Sequence, residues 1–385
     1  MRLSILGGSS PFLAELFLEW RRNPSACPDS IVLHGRTEST LAAIQAFAKA
    51  MLPSRQVIVT TRLEEALEGV ELIFHQIRYG GLEGRGSDEA YCRLRKMPSD
   101  ETLGPGGFRA ALRMRAALLD VAGVIATRAP SALVVNFTNP LSLSTSMMKH
   151  AGIQHVCGLC ELPGATAALL QDAVGEPLAW DYVGLNHRGF LFNITNKAGA
   201  DANDILANLA CEEIGGIPRE IVRQLTAVPT KYFRLFTGAS PISQYGRAAE
   251  LSGIRDRLVA QLKEDPHRIP SALAERRQDW WRLAVIPFLT ALRGAEHVPL
   301  VINMPDKDGI TREARFLVGA GGFLETATPC PPKTLDPWLS AFERHERASF
   351  TALVSPTHRN LKAVLRADPL HPQNSPNVFT GSARP

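Results

Sequence analysis

Short, mostly apolar runs recur along the first half of the chain, and each ends at a polar or small residue. These runs lie at 3–6, 31–33, 57–59, 72–74, 133–135, 155–156 and 182–183. Runs of this length that end in Gly, Asn or Pro are typical of buried parallel strands. Segments with the composition of helices lie between some of them, for example at 12–20 and 109–122. The pattern predicts an α/β fold with a doubly wound parallel sheet.

A Gly-rich turn follows the first predicted strand and precedes the first predicted helix. It consists of Gly7, Gly8, Ser9 and Ser10. Such a turn lets backbone N–H groups face a pyrophosphate at the positive end of the helix, so it predicts a Rossmann-like dinucleotide site. The strict G-x-G-x-x-G spacing is absent, and an ordinary strand–helix loop is therefore the alternative.

The end of the second predicted strand bears on the choice of dinucleotide. Sites that prefer NAD usually place Asp or Glu there for the ribose 2′-hydroxyl. This chain has His34 and Arg36 instead. Arg36 is suited to a 2′-phosphate, so NADP remains open beside NAD, and a solvated loop charge is the alternative.

The pattern changes after residue 187, where Pro and Gly become frequent. Helices are predicted at 202–214, 218–225, 255–264, 269–277 and 280–292, and a late strand at 298–303. We predict a Rossmann-like domain at 1–190 and a second α/β (α+β) domain for substrate binding and oligomerisation at 191–366. A poorly ordered tail is expected at 367–385.

Composition limits the class of protein. The 385 residues are 45% hydrophobic and 21% charged, with a formal net charge of +4. No block of like charges occurs, so neither nucleic acid nor a membrane is expected as partner. The six scattered cysteines predict no disulfide framework. No signal-peptide pattern and no apolar run of about 18 residues is present, so we expect a cytoplasmic protein.

A polar, Gly-rich segment at 78–107 carries several arginines and carboxylates. Beside a cofactor turn, such a segment predicts a long binding loop or lid. The alternative is a surface loop with ion pairs.

Three predicted strands are followed by residues suited to a ligand site: Asn136, Cys160 and His187. Ends of parallel strands meet at one edge of a sheet, so these side chains are expected to converge. A thiolate and an imidazole favour a divalent metal. Cys157 and Cys160 also form a C-x-x-C, whose alternatives are a redox pair or half of a zinc site. We expect Cys157 to be a buried apolar residue, and a core histidine is the alternative for His187.

Seven motifs in order resemble glycoside hydrolase family 4, the NAD- and metal-dependent glycosidases. The resemblance covers roughly 1–309. The motifs are 5–10 with Glu15, 78–85 with Asp88 and Glu89, 101–107, 136–140, 158–160, 184–187 and 303–305.

The resemblance implies a fold related to lactate and malate dehydrogenases, with NAD and Mn²⁺ or another divalent metal as cofactors. It implies the following roles: Cys160 and His187 as metal ligands; Arg85, Glu101, Asn139 and Arg276 for the sugar; Gly7, Gly8 and Ser10 for the dinucleotide; and a tyrosine as base, for which Tyr232 is the candidate and a packing aromatic the alternative. Ser9, Arg36 and Asn136 are further candidates for the dinucleotide. Glu161 is a candidate general acid, and the alternative is a carboxylate that orients the metal site.

The family's reaction removes a hydride from C3 of the sugar, which acidifies the C2 hydrogen. A tyrosine removes that proton, the aglycone is eliminated from C1, water adds and the hydride returns. Here Tyr232 is the candidate base and Tyr245 the alternative, while Lys231 or a metal is expected to lower the base's pKa. Family members often have Asp or Asn after the metal cysteine, so Glu161 leaves the anomer and a 6-phosphate open.

The first hypothesis is therefore a glycosidase acting on a small glycoside or sugar phosphate, as a homodimer or homotetramer. The alternative is an NAD(P)-dependent sugar or hydroxy-acid dehydrogenase, and a third hypothesis is a binding protein that has lost catalysis. Trp280 and Trp281 are expected either to stack on a sugar or to fill an interface.

Overall fold

The computed structural model describes residues 1–237, 246–276, 278–327, 329–371 and 374. Strands in these residues are β1 Arg2–Leu6, β2 Ser30–His34, β3 Gln56–Thr60, β4 Leu72–His75, β5 Leu133–Asn136, β6 Val156–Gly158, β7 Ala179–Leu185, β8 Arg188–Thr195, β9 Glu213–Ile214, β10 Ile217–Pro218, β11 Val228–Pro229, β12 Val298–Pro305, β13 Thr311–Gly319 and β14 Gly322–Glu325.

The α-helices of the described residues are α1 Leu13–Arg22, α2 Glu38–Met51, α3 Leu63–Ala66, α4 Gly81–Leu94, α5 Gly104–Arg128, α6 Leu141–His150, α7 Leu162–Val174, α8 Ala202–Ala207, α9 Arg219–Leu225, α10 Arg234–Thr237, α11 Arg247–Glu264, α12 Ile286–Arg293, α13 Asp336–Val354 and α14 His358–Ala367. A π-helical turn at Trp281–Val285 leads into α12.

Six parallel strands form one half of the main sheet. Their order is β3-β2-β1-β4-β5-β6, and each neighbouring pair runs parallel. This is the order of a dinucleotide-binding Rossmann fold, in which β1 and β4 flank the point where the strand order reverses. The Rossmann-like prediction is confirmed.

The other half of the sheet is antiparallel and continues from β6 through β12, β13, β7, β8 and β11. The expectation that β7 is a parallel strand like β6 was wrong. β7 forms an antiparallel hairpin with β8, and its other edge pairs antiparallel with β13. The short turn after Leu185 reverses the chain directly, which leaves no room for a crossover connection.

Late helices pack on the early part of the sheet. Trp281 and Phe288 are buried in the same apolar cluster as Leu3 and Ile31. The sheet also runs without a break across residue 190, so the division into domains at 1–190 and 191–366 stays a prediction. Of the expected tail at 367–385, residues 372, 373 and 375–385 lie outside the described residues. Within the described ranges, no helix has the length and apolarity needed to cross a bilayer.

The segment 78–107 is mostly helical, and the expectation of a long loop or lid there was wrong. Helix α4 occupies 81–94, and α5 begins at Gly104. A Cβ at Gly84 would lie 2.7 Å from Nε of Arg113, so this glycine lets the Arg113 side chain lie directly against α4. Arg113 and Arg109 both pair with the buried Asp88 of α4. The polar residues thus join two helices.

The helices predicted at 202–214 and 269–277 are also shorter than expected. The first ends at Ala207, and Glu213–Ile214 pairs with Ile217–Pro218 as a short hairpin. The second is a 3₁₀ turn at Ser271–Glu275.

The Gly-rich turn after β1 is pressed against its neighbours. Gly7 has φ +94°, and a Cβ there would lie 2.9 Å from the carbonyl oxygen of Gln76. A Cβ on Gly8 would lie 2.8 Å from the backbone nitrogen of His34. These contacts are to backbone, which cannot yield as a side chain can, so the turn requires glycine at both positions.

Substituting Gly8→Ala should therefore destabilise the fold, by about 1–3 kcal/mol from overpacking. The measurement is urea unfolding. The matched control is Gly123→Ala at an exposed position in the C-terminal part of α5, where a Cβ meets nothing within 4 Å. There the free energy of unfolding should rise by about 0.5–1 kcal/mol, because alanine favours helix. Equal stabilities of the two variants would contradict the packing argument.

Candidate active site

Four paired residues form a row across the sheet beneath the site. Gly158 pairs with Asn303, Asn303 with Glu313, and Glu313 with Gly184. Cys160 lies two residues after Gly158, beyond the end of β6, and the β7–β8 turn begins two residues after Gly184. Because of this pairing, the residues that follow the antiparallel strand β7 lie at the same edge of the sheet as the end of β6.

Glu313 is a buried carboxylate at the centre of this row. Its Oε1 accepts hydrogen bonds from Nδ2 of Asn186 at 3.0 Å and Nδ2 of Asn303 at 2.9 Å. Its Oε2 accepts one from the hydroxyl of Tyr182 at 2.6 Å. Burial raises its pKa, and the three donors oppose that rise. Sequence reasoning missed Glu313; the signal was an acidic residue on the buried face of strand β13, which was not predicted.

The metal pair predicted from the sequence has suitable donors. Burial lowers the pKa of His187 to about 3, so its ring is neutral at pH 7. Its buried Nδ1 has no hydrogen-bond partner in the described part of the chain. Burial and the carboxylates of Glu161 and Glu313 raise the pKa of Cys160. The thiol therefore keeps its proton until a cation displaces it, as thiol metal ligands do.

These two donors fit a borderline divalent ion. The described residues contain no group of three or more His, Cys, Asp or Glu placed to hold a metal. Cys160 and His187 alone would thus leave several coordination positions open, as catalytic sites require. Cys157 is fully buried inside β6, as expected for an apolar residue.

Tyr232 lies against the predicted metal ligand. Its ring is stacked on that of His187, with centroids 4.3 Å apart and planes 11° from parallel. Burial and the carboxylates of Asp100 and Glu101 raise its pKa well above the usual value. Lys231 Nζ lies 5.3 Å from the ring centroid, but burial and the carboxylates decide the direction of the shift. Tyr232 can act as a base only when a further cation lies close by.

The residues predicted to hold a sugar surround Glu101. Its Oε2 accepts from Arg78 at 3.0 Å and from Arg85 at 2.6 Å, and its Oε1 accepts from Asn139 at 3.1 Å. Burial raises the pKa of Glu101, but the guanidinium groups outweigh burial and hold it well below its usual range. Arg276 also lies within electrostatic reach, and burial lowers its pKa to about 10.

Arg85 is shared between two carboxylates. Besides Glu101, it contacts Glu89 Oε1 through Nε at 3.0 Å. Glu89 in turn accepts backbone N–H groups from Gly246 and Ala248, each at 3.1 Å, where α11 begins. Helix α4 therefore connects the residues predicted to hold a sugar to the N-terminus of α11.

Asn136 occupies a structural position, although we expected it to contact the cofactor. Its Oδ1 contacts His75 Nδ1 at 2.9 Å and accepts from the backbone N–H of Thr138 at 3.1 Å. Its Nδ2 donates to the hydroxyls of Ser144 and Thr145. Because both ends are engaged and the residue is fully buried, its side chain fixes the loop that carries Asn139.

The remaining candidates are dispersed. Arg36 is exposed and lies after the end of β2. Ser9 packs closely against Gly35, since a Cβ on Gly35 would lie 2.5 Å from the Ser9 hydroxyl oxygen. Trp281 is buried, which favours the filling role, and Trp280 is partly buried beside it. Tyr245, the alternative base, lies outside the described residues.

The fold is shared with dehydrogenases. A malate dehydrogenase from Plasmodium falciparum superposes with a TM-score of 0.54 and 9% identity, over 92% of this chain and 98% of that one. A Thermotoga maritima 6-phospho-beta glucosidase solved with NAD and glucose-6-phosphate superposes with a TM-score of 0.83 and 23% identity, over 97% of this chain and 94% of that one.

Residues 4–176 match the model of the family 4 glycosyl hydrolases. The 6-phospho-beta-glucosidase BglT of T. maritima is 27% identical over 57% of this chain, and the alignment spans only 54% of that relative. A probable 6-phospho-beta-glucosidase of Bacillus subtilis is 22% identical over 97% of this chain and 93% of its own length. This match over residues 4–176 confirms the resemblance to glycosyl hydrolase family 4 that the motifs predicted.

Asp100 provides a pH test of the site. Its Oδ1 accepts the backbone N–H groups of Thr102 and Leu103, but its buried Oδ2 has no partner in the described ranges. Burial raises its pKa from 3.8 to about 6. The folded state therefore binds this proton more tightly than the unfolded chain, and stability is lost as pH rises from about 4 to about 6.

Replacing Asp100→Asn removes this loss. The stability of the variant relative to the wild type should increase by roughly 2–3 kcal/mol between pH 4 and pH 7. Urea unfolding at several pH values measures the difference. Asp256→Asn on the exposed face of α11 controls for the loss of a charge, and no comparable pH dependence is expected there. If the stability difference between Asp100→Asn and the wild type did not change with pH, the carboxyl of Asp100 would be solvated.

Proposed function

We propose that the protein is a glycosidase that uses NAD and Mn²⁺, or another divalent metal, in an oxidation–elimination–addition–reduction cycle. One observation carries the proposal. Tyr232 stacks on the neutral His187 ring, close enough to Cys160 and Glu161 for both to raise its pKa. A candidate base, a candidate acid and two metal donors thus lie together in a chain with a Rossmann sheet.

The chain's own residues have separate roles in this proposal. Glu101 and Asn139 hold sugar hydroxyls, and Arg85 keeps Glu101 ionised as an acceptor. Tyr232 takes the proton from C2, and Glu161 gives a proton to the departing oxygen at C1. When bound, the nicotinamide supplies reversible hydride transfer, and the divalent ion supplies Lewis-acid polarisation.

The proposed substrate is a 6-phosphorylated hexoside. Curated relatives are 6-phospho-glycosidases, and a T. maritima relative has been solved with manganese, NAD⁺ and glucose-6-phosphate. Near Glu101, the guanidinium groups of Arg78, Arg85 and Arg276 favour an anionic ligand. The homodimer or homotetramer, the cytoplasmic location and the absence of nucleic-acid and membrane partners stay predictions.

The direct test measures cleavage of aryl 6-phosphohexosides of both anomers, alongside the unphosphorylated compounds. Cleavage should require both a dinucleotide and Mn²⁺, and the C2 hydrogen should exchange with solvent deuterium. NAD and NADP are compared because Arg36 is exposed. Cleavage that persists with EDTA and without nucleotide would refute the proposal. Net accumulation of reduced nucleotide without cleavage would favour a dehydrogenase.

Cys160→Ser tests the metal role separately. Mn²⁺ affinity, measured by calorimetry or electron paramagnetic resonance, should fall by roughly 10- to 100-fold, in the range seen when metal sites are perturbed, because a hydroxyl is a poorer ligand than a thiolate. NAD affinity should change little, since the turn at 7–10 is untouched. Cys157→Ser is the matched control and should bind the ion normally. Equal Mn²⁺ affinities in all three proteins would rule out Cys160 as a ligand.

A further inference from the structure

A cavity of about 180 Å³ opens beside the candidate site. Helix α7 forms one wall, and the segments at 214–215, 229–231 and 279–283 form the others. The apolar residues that line it are Leu162, Ala165, Leu169, Ile214, Pro229 and Leu283. The catalytic cycle above assigns no role to this cavity.

Two residues of the cavity belong to the site or adjoin it. Glu161 lines the cavity, and its Oε2 lies 3.7 Å from Sγ of Cys160. Lys231 also lines it and directly precedes Tyr232. The cavity therefore begins where the proposed acid and base stand.

We propose that this cavity is the leaving-group subsite and that it takes an uncharged aglycone with an apolar face, such as an aromatic ring. The inference rests on the proposed function. Elimination breaks the bond at C1, the neighbour of the C2 atom from which Tyr232 takes a proton. The proton that completes the leaving group comes from Glu161, so the aglycone must lie on the Glu161 side, where the cavity opens.

The cavity walls determine the class of aglycone. Most of the lining is aliphatic, so burying the apolar face of a ring against it is favourable. Lys231 carries one positive charge among the lining residues, and Asp279 and Glu161 can each carry one negative charge. No excess of positive charge favours a second phosphate, so a neutral group fits.

Leu169 supports this assignment independently. Its exposed fraction is 47%, which is high for a leucine beside a site. A Cβ added at Gly215 would lie 3.5 Å from Cδ1 of Leu169, so this side chain packs close to the turn at 214–215, and both residues line the cavity. A ring bound in the cavity against Leu169 would cover part of its exposed apolar surface.

The test compares three reactions at one sugar: cleavage of an aryl 6-phosphohexoside, cleavage of its methyl counterpart, and C2 deuterium exchange of the free 6-phosphohexose. Ala165→Phe fills the cavity from α7. It should lower kcat/KM for the aryl substrate by about tenfold or more, the scale of a lost pocket contact. The methyl substrate and the exchange should stay within about twofold of the wild type. Ala168→Phe, a matched substitution on the same helix outside the lining, should leave all three reactions unchanged.

Leu169→Ala provides a second variant that cannot fail through overpacking, because the side chain is half exposed. It should raise KM for the aryl substrate and leave the methyl substrate unaffected. Equal effects on aryl and methyl substrates in both variants would overturn the subsite. An equally large loss with a second sugar as aglycone would overturn its apolar class. Absence of C2 exchange in the wild type would instead refute the proposed function, so the two failures are distinguishable.

Discussion

The site depends on one buried carboxylate. Glu313 accepts hydrogen bonds from two asparagines and a tyrosine. Its strand, β13, lies between β7, which precedes the Asn186 turn, and β12, whose Asn303 pairs with Gly158 of β6. A buried anion without donors would be costly, since each unsatisfied group costs about 1–3 kcal/mol or more. The three donors reduce that cost, although burial still leaves the pKa of Glu313 raised, and Asn186 ties Glu313 to the turn that presents His187. The pairing of β13 with β7 and β12 thus helps to set the positions of the candidate ligands.

The parallel half of the fold could be predicted because its signals are local. Short apolar runs ended by small or polar residues mark β1 to β6, and the Gly-rich turn marks the crossing point of the sheet. The antiparallel half could not, since the β7–β8 hairpin turns at Asn186 and His187, which are not typical hairpin residues. Helix α4 was missed for a related reason. Its three internal glycines disfavour a helix, and the ion pairs of Asp88 that offset them are visible only in three dimensions.

Some features of the candidate site could likewise be predicted from the sequence, and others could not. The strand ends predicted that Cys160 and His187 lie at one edge of the sheet, and the resemblance to family 4 implied that Glu101, Asn139 and Arg85 belong to the same site. Electrostatic behaviour could not be foreseen. Asp100 and Glu101 are adjacent carboxylates, yet burial raises the pKa of the first while arginines hold that of the second low. The direction of each pKa shift depends on whether guanidinium groups lie close to the carboxylate, and the sequence does not reveal this.

The sharing of Arg85 has a thermodynamic consequence. Glu101 and Glu89 bind different nitrogens of one guanidinium, and Glu89 also accepts the first backbone N–H groups of α11. In the proposed sugar site, a ligand that drew on the hydrogen-bonding capacity of Glu101 would alter the pairing of Arg85 with Glu89 and so the charge presented to α11. Such coupling is reciprocal. Order in the first turn of α11 would then depend on occupancy of the proposed sugar site, although α11 itself need not touch the ligand.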